Sequence, residues 1–136
     1  MDFVQIALVQ ESWYKLTGRL DTLGTLFYWR LFDLDPSLRP LFSQNLHRQQ
    51  QKFTNTLSFI VTHLDQPQQF FHSTKLLGRH HASKGVQPAH YHTVAQALLW
   101  SLQQLLGDQF TPAHCTAWET AYYLIAGLMK EAAASQ

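Results

Sequence analysis

The chain has 136 residues, enough for one domain with a sizeable core, and 46% of them are hydrophobic. Ten Lys/Arg against nine Asp/Glu leave a net charge of +1 with no basic cluster longer than two residues, which argues against an electrostatic nucleic-acid surface. No run approaches the ~18 uncharged apolar residues of a membrane span, the Asp2-Phe3-Val4 start lacks a leader's basic region, and the single Cys115 rules out an intrachain disulfide, so the expectation is a cytoplasmic protein with no membrane span.

Strand-like alternation is scarce, and no linker, repeat or change of composition divides the chain, which predicts one all-α domain of about seven helices. The first spans about Phe3 to Thr17, with Val4, Ala7, Leu8 and Leu16 apolar and Trp13 turned inward, and Gly18 stops it. A second, about Asp21 to Phe32, carries Leu23, Gly24, Phe27, Tyr28 and Leu31; the glycine there lets another helix cross closely. Asp35 can cap and Pro36 open a short helix, which Pro40 curtails, delivering Leu41 and Phe42 to a corner. After Ser43-Gln44-Asn45 a long helix runs to about Leu64, with Phe53, Leu57, Ile60, Val61 and Leu64 at helical spacing behind a polar Gln49-Gln50-Gln51 start. The next opens near Pro67. Another begins at Pro88 and holds the strongest apolar stripe, Tyr91, Val94, Ala95, Leu98, Leu99, Leu102, Leu105 and Leu106. Gly107 ends it, and Thr111-Pro112 opens the last helix, where Cys115, Trp118, Tyr122, Ile125 and Met129 fall three and four apart.

The stretch from Leu76 to Tyr91 runs out of one helix, through a Gly/Pro turn and into another, with His80 and His81 adjacent at the first helix's end. Phe70, Thr74, Leu77 and His81 can share one inward face, but Leu76, Leu77 and His80 make nearly as good a stripe. Both histidines can equally be polar residues that favour the dipole of a helix C-terminus. Spacing leaves these readings open. A closed zinc site needs four ligands and Cys115 lies far along the chain, so a metal held by one of these histidines must bring its other ligands with a cofactor. His90, His92 and His114 read as exposed polar positions.

The string Leu77-Gly78-Arg79-His80-His81, followed by Gly85-Val86, Pro88, His90-Tyr91, Val94, Leu98-Leu99 and Trp100, resembles the proximal half of a globin. The branch it is similar to holds bacterial single-domain haemoglobins, the haem domains of flavohaemoglobins, and neuroglobin. Gln10-Glu11-Ser12-Trp13, Leu26 to Phe32, Pro36 to Phe42, and Leu106 to Pro112 with Ala117-Trp118 and Tyr122 fall in the same family order, so the likeness covers nearly the whole chain. It implies a globin fold over residues 1–136, a three-on-three helical sandwich around haem b.

The resemblance, and not the spacing, selects His81 as the proximal iron ligand and leaves His80 pointing elsewhere. It implies that the His81 ring donates to the carbonyl of Leu77, that Phe42 wedges the haem at the corner, and that Val86 lies just past the ligand. Phe27, Phe53, Leu57, Leu77, Val94 and Leu98 are further candidates for the apolar walls, each of which also reads as ordinary core. Lys52 matches a position that can reach a haem propionate, and reads equally as a solvated lysine. On the distal face the resemblance puts Tyr28 and Gln49, although three consecutive glutamines leave the register open by one residue. Taken alone, Tyr28 also reads as a core tyrosine bonded to a carbonyl, and Gln49 as a solvated surface residue. With no distal histidine, the sixth iron site is expected to be open or water-bound; His47 is the nearest internal rival.

The function this implies is reversible binding of dioxygen and of other small gases, carbon monoxide and nitric oxide, with oxygen held tightly by the Tyr/Gln pair. That is a binding protein rather than an enzyme. The alternative is nitric-oxide dioxygenase or peroxidase-like activity dependent on an external reductase. Tyr91 matches the tyrosine of the flavohaemoglobin-type proximal Tyr/Glu pair, but the glutamate position falls on Ala133, with Glu131 two residues away. The chain stops at Gln136, so a fused flavin and nicotinamide reductase domain is not expected.

Overall fold

The computed structural model describes residues 1–42 and 45–134, and among these all regular structure is helical. Six α-helices run in chain order as α1 (Phe3–Tyr14), α2 (Leu20–Leu34), α3 (Leu46–Thr62), α4 (Pro67–Ser83), α5 (His90–Leu106) and α6 (Pro112–Ala134). Short 3-10 helices at Pro36–Leu41 and Gly107–Gln109 join α2 to the corner and α5 to α6. The short helix expected at Pro36 is the first of these. Ser43 and Gln44, read as part of the corner, lie outside the described residues.

The helix ends follow local chemistry. Asp2 caps α1 by accepting from Gln5 N at 2.8 Å, Asp35 accepts from Ser37 N at 3.1 Å ahead of Pro36, and Asn45 accepts from Arg48 N at 3.1 Å to start α3. Two boundaries differ from the sequence reading. The first helix ends at Tyr14 rather than Thr17, because Leu16 and Thr17 bond back three residues in tighter turns. The helix expected from Pro88 begins at His90, after a turn in which His90 N donates to the Gln87 carbonyl and Gln87 N donates to His90 Nδ1, each at 2.9 Å.

The α1, α3 and α4 layer packs over α2, α5 and α6, with α4 and α1 against α6, α3 against α2, and α2 against α5. Between the layers sits a core that includes Val9, Trp13, Leu23, Phe27, Leu31, Val61, Leu102 and Trp118. In α1 the buried face is Val9, Ser12 and Trp13, whereas Val4 is 67% exposed and Ala7 faces solvent. Ser12 is buried because its hydroxyl accepts from Trp118 Nε1 at 2.8 Å, tying α1 to α6. His114 corrects the expectation of an exposed position. It is 7% exposed, one turn before Trp118 on the face toward α1, with Nδ1 2.7 Å from Thr111 Oγ1 and Nε2 3.6 Å from Glu11.

Two glycines set how closely helices cross. A Cβ on Gly24 would lie 3.1 Å from Gln50 Cβ, so α2 and α3 meet at the crossing expected there. A Cβ on Gly78 would lie 2.4 Å from the Met129 carbonyl oxygen, which places the backbone of α4 directly on α6 three residues before His81.

Candidate functional site

A cavity of about 780 Å³ opens between α3 and α4 and is floored by α5 and α6. Its walls are mostly apolar. From α2 come Phe27 and Tyr28, from the corner Leu38, Leu41 and Phe42, and from α3 Gln49, Lys52, Phe53, Thr56, Leu57 and Ile60. The other side is built by Leu77, His80 and His81 of α4, by Lys84 and Val86 in the turn, and by His90, Tyr91, Val94 and Leu98. Every candidate site residue drawn from the sequence therefore lies on one surface. Tyr122, Ile125, Ala126 and Met129 of α6 complete the floor. Their spacing of three, one and three was a visible stripe, but a core stripe and a cavity wall have the same signature in sequence.

The two readings of the histidine pair separate here. Phe70 and Thr74 are buried while Leu76 is 50% exposed, so the inward stripe is the one that continues to Leu77 and His81, and His80 lies toward solvent at the rim. His81 Nδ1 donates to the Leu77 carbonyl at 2.8 Å, one turn back. That bond fixes the ring and leaves Nε2, with its lone pair, on the cavity side. Burial holds the imidazole below the usual histidine range, against the opposing pull of the Leu77 carbonyl, so the neutral form is favoured. The chain behind it is tied down as well: Val86 N donates to the His81 carbonyl at 3.1 Å and turns the backbone toward α5.

On the wall formed by α2 and α3, Tyr28 is 2% exposed and accepts a hydrogen bond from Gln49 Nε2 at 3.3 Å. Among the described residues no carbonyl takes its own proton. Burial pushes the phenol up to about 12, so it stays protonated at any physiological pH. Aromatic contacts position it: the Tyr28 ring meets Phe42 edge-on at 5.4 Å and Phe53 at 5.8 Å, and Phe53 stacks on Phe27 at 4.0 Å. The histidines that line the cavity are His80, His81 and His90, from α4 and the start of α5; His47 is exposed and does not line it. Lys52 and Lys84 are exposed residues of the lining.

The globin family model matches residues 25–129, which contain every one of these lining residues. The chain belongs to the globin family. Over about nine-tenths of its length it is 29% identical to the flavohemoprotein of Rhodopirellula baltica and 32% identical to that of Bacillus subtilis. It spans only 31% and 29% of those two proteins' lengths. The crystal structure of a hexacoordinated heme protein from an anhydrobiotic tardigrade superposes with a TM-score of 0.88 over 98% of this chain and 95% of that one, at 16% identity. The globin fold is thus kept where most of the sequence has diverged. No described helix of this globin is long and apolar enough to cross a membrane.

Proposed function

We propose that this globin, as a single domain over residues 1–136, binds haem b in the cavity between α3 and α4 and reversibly takes up dioxygen and other small gases. One observation carries the reading: His81 is turned so that Nδ1 is held by Leu77 and Nε2 is left to an apolar cavity whose other wall bears Tyr28 and Gln49. The residues fit the cofactor. Haem is a flat, mainly apolar ring, and burying such surface is favourable by ~25 cal/mol per Å². Phe42, Phe53 and Leu57 would face one side of it, and Leu77, Val86, Val94 and Leu98 the other. Its carboxylates need a wet, cationic edge, which Lys52 and Lys84 offer. No described group of three or more His, Cys, Asp or Glu could hold a metal by itself, so one imidazole acting with a macrocycle is the arrangement these residues can serve. When bound, haem would supply an iron able to take up a diatomic gas.

The chain's own contribution is to hold what enters. Because Gln49 donates to the Tyr28 oxygen, the hydroxyl proton of Tyr28 is free to point into the cavity. A gas that gains negative charge on binding is stabilised by such a donor by roughly 1.5–3 kcal/mol. At ~1.4 kcal/mol per decade, Tyr28→Phe is expected to speed oxygen dissociation by about tenfold to a hundredfold, measured by stopped-flow displacement with carbon monoxide. An unchanged rate would remove Tyr28 from the site.

Binding is favoured over turnover by the surroundings of Tyr91. Lys130 Nζ sits 5.5 Å over its ring, Glu131 is exposed, and the position matched to a glutamate is Ala133. With nitric oxide and no reductase, the oxygenated protein is expected to give a single stoichiometric burst of nitrate. Sustained turnover after a flavin reductase is added, at rates set by the globin rather than by the reductase, would favour the dioxygenase reading instead.

A further inference from the structure

We propose that Tyr123 and His92 form a surface site at which small phenolic donors pass electrons, through Tyr122, into the haem-loaded pocket; this rests on the haem reading above and not on which gas is bound. Tyr122 lines the cavity, and its hydroxyl donates to the carbonyl of Tyr91. Its ring meets that of Tyr123 edge-on, with centroids 5.3 Å apart. Tyr123 is 44% exposed, and its hydroxyl lies 3.1 Å from Nδ1 of His92, which stands exposed on α5. Two neighbouring rings thus lead from the pocket wall to solvent, and the outer one ends on a group that can take a proton.

That last contact decides where an oxidising equivalent would rest. A phenol that loses an electron becomes a strong acid, and it persists as a neutral radical only if its proton has somewhere to go. The Tyr123 proton can pass to His92 Nδ1, and the exposed imidazole can hand a proton on to water. The Tyr122 proton faces only a carbonyl, a poor base, and burial pushes that phenol well above the ordinary tyrosine range. Tyr122 therefore relays the electron without keeping the vacancy. Tyr91 lines the pocket too, but Lys130 Nζ sits 5.5 Å over its ring, where a cation opposes removal of an electron. Beside Tyr123, Leu124 is 39% exposed, so the site offers an apolar shelf to an aromatic donor. A phenol docked there returns an electron and a proton to the Tyr123 oxygen and leaves as a phenoxyl radical. The oxidant is a hydroperoxide. Over two such returns, one hydrogen peroxide and two phenols become two waters and two phenoxyl radicals, and the protons released at His92 balance those the peroxide takes up.

The test is to mix the haem-loaded protein with hydrogen peroxide and a nitroso spin trap, and to locate the adduct by peptide mass spectrometry. The native protein should carry it on Tyr123, and Tyr123→Phe should lose it. In His92→Phe the adduct should fall several-fold, and His92→Gln, which keeps an acceptor, should regain part of it. Peroxide-driven oxidation of guaiacol should fall several-fold in Tyr123→Phe and His92→Phe, with carbon monoxide spectra that match the native protein. Tyr14→Phe, at a tyrosine of α1 that is 55% exposed, is the control and should change neither readout. An adduct on another residue of the native protein, no adduct at all, or guaiacol oxidation unchanged in both Tyr123→Phe and His92→Phe would each overturn the site while leaving the pocket standing. A native protein that took up no haem would overturn the proposed function, and the site with it.

Discussion

His81→Ala is expected to fold with its helices intact, to lose the sharp Soret band of histidine-ligated haem, and to recover it when free imidazole is added. His81 is only half-buried, and its removal deletes one hydrogen bond, to Leu77, of the kind that contributes about 0.5–1.5 kcal/mol to stability. The fold can absorb that loss. The cavity does not replace the ligand, because His80 is turned toward solvent, the lone pair of His90 is taken up on Nδ1 by Gln87 N at 2.9 Å, and the α2 and α3 side of the lining offers no imidazole. Imidazole rescue separates loss of the ligand from collapse of the pocket. An unchanged spectrum in the variant would remove His81 from the reading.

The second large effect is structural and reaches the site through α4. Gly78→Ala would force a methyl group to within 2.4 Å of the Met129 carbonyl oxygen, against backbone on both sides. Overpacking of this kind costs ~1–3 kcal/mol or more, and the ~1 kcal/mol gain in helix propensity does not offset it. Since His81 lies three residues further along, the shift of α4 should also weaken haem retention. Gly127 is the matched control: it too lies within a helix, α6, but a Cβ there meets nothing within 4 Å. Gly127→Ala should stabilise the protein by up to about 1 kcal/mol. Urea unfolding of the three haem-free proteins, followed by circular dichroism, measures both signs at once.

The helices were legible because their ends are chemically marked. Pro36, Pro67, Pro112 and the caps at Asp35 and Asn45 fall where the chain changes direction, and α5 carries one long apolar stripe. What was not legible depends on which neighbour a face meets. Val4 is as apolar as Val9 and Ala7 is apolar too, yet only the face containing Val9 lies against the core, because Ser12 and Trp13 fix the rotation of α1 through Trp118. The burial of His114 follows from that same contact, and no local pattern signals it.

At the site, residue spacing could not separate His80 from His81. Family resemblance chose His81, and the exposure of Leu76 and the Nδ1 bond to Leu77 give a physical account of how the α4 face is turned. The register of the three glutamines is set by the Asn45 cap, which brings Gln49 to Tyr28 and turns Gln50 to Gly24. The α6 floor was hidden because Tyr122, Ile125 and Met129 have the periodicity of any buried helix. A wall facing a void differs from ordinary core only once the opposing helix is known to stand off.

The most direct test of a haem pocket with His81 below and an open position beside Tyr28 is an absorption spectrum of the haem-supplied protein, taken oxidised, reduced with dithionite, and reduced under carbon monoxide. The proposed function predicts a sharp Soret band, a reduced spectrum of the five-coordinate high-spin type, and a clear shift on adding the gas. A reduced spectrum already six-coordinate and low-spin would contradict the open position, and the absence of any Soret band would contradict the haem pocket itself.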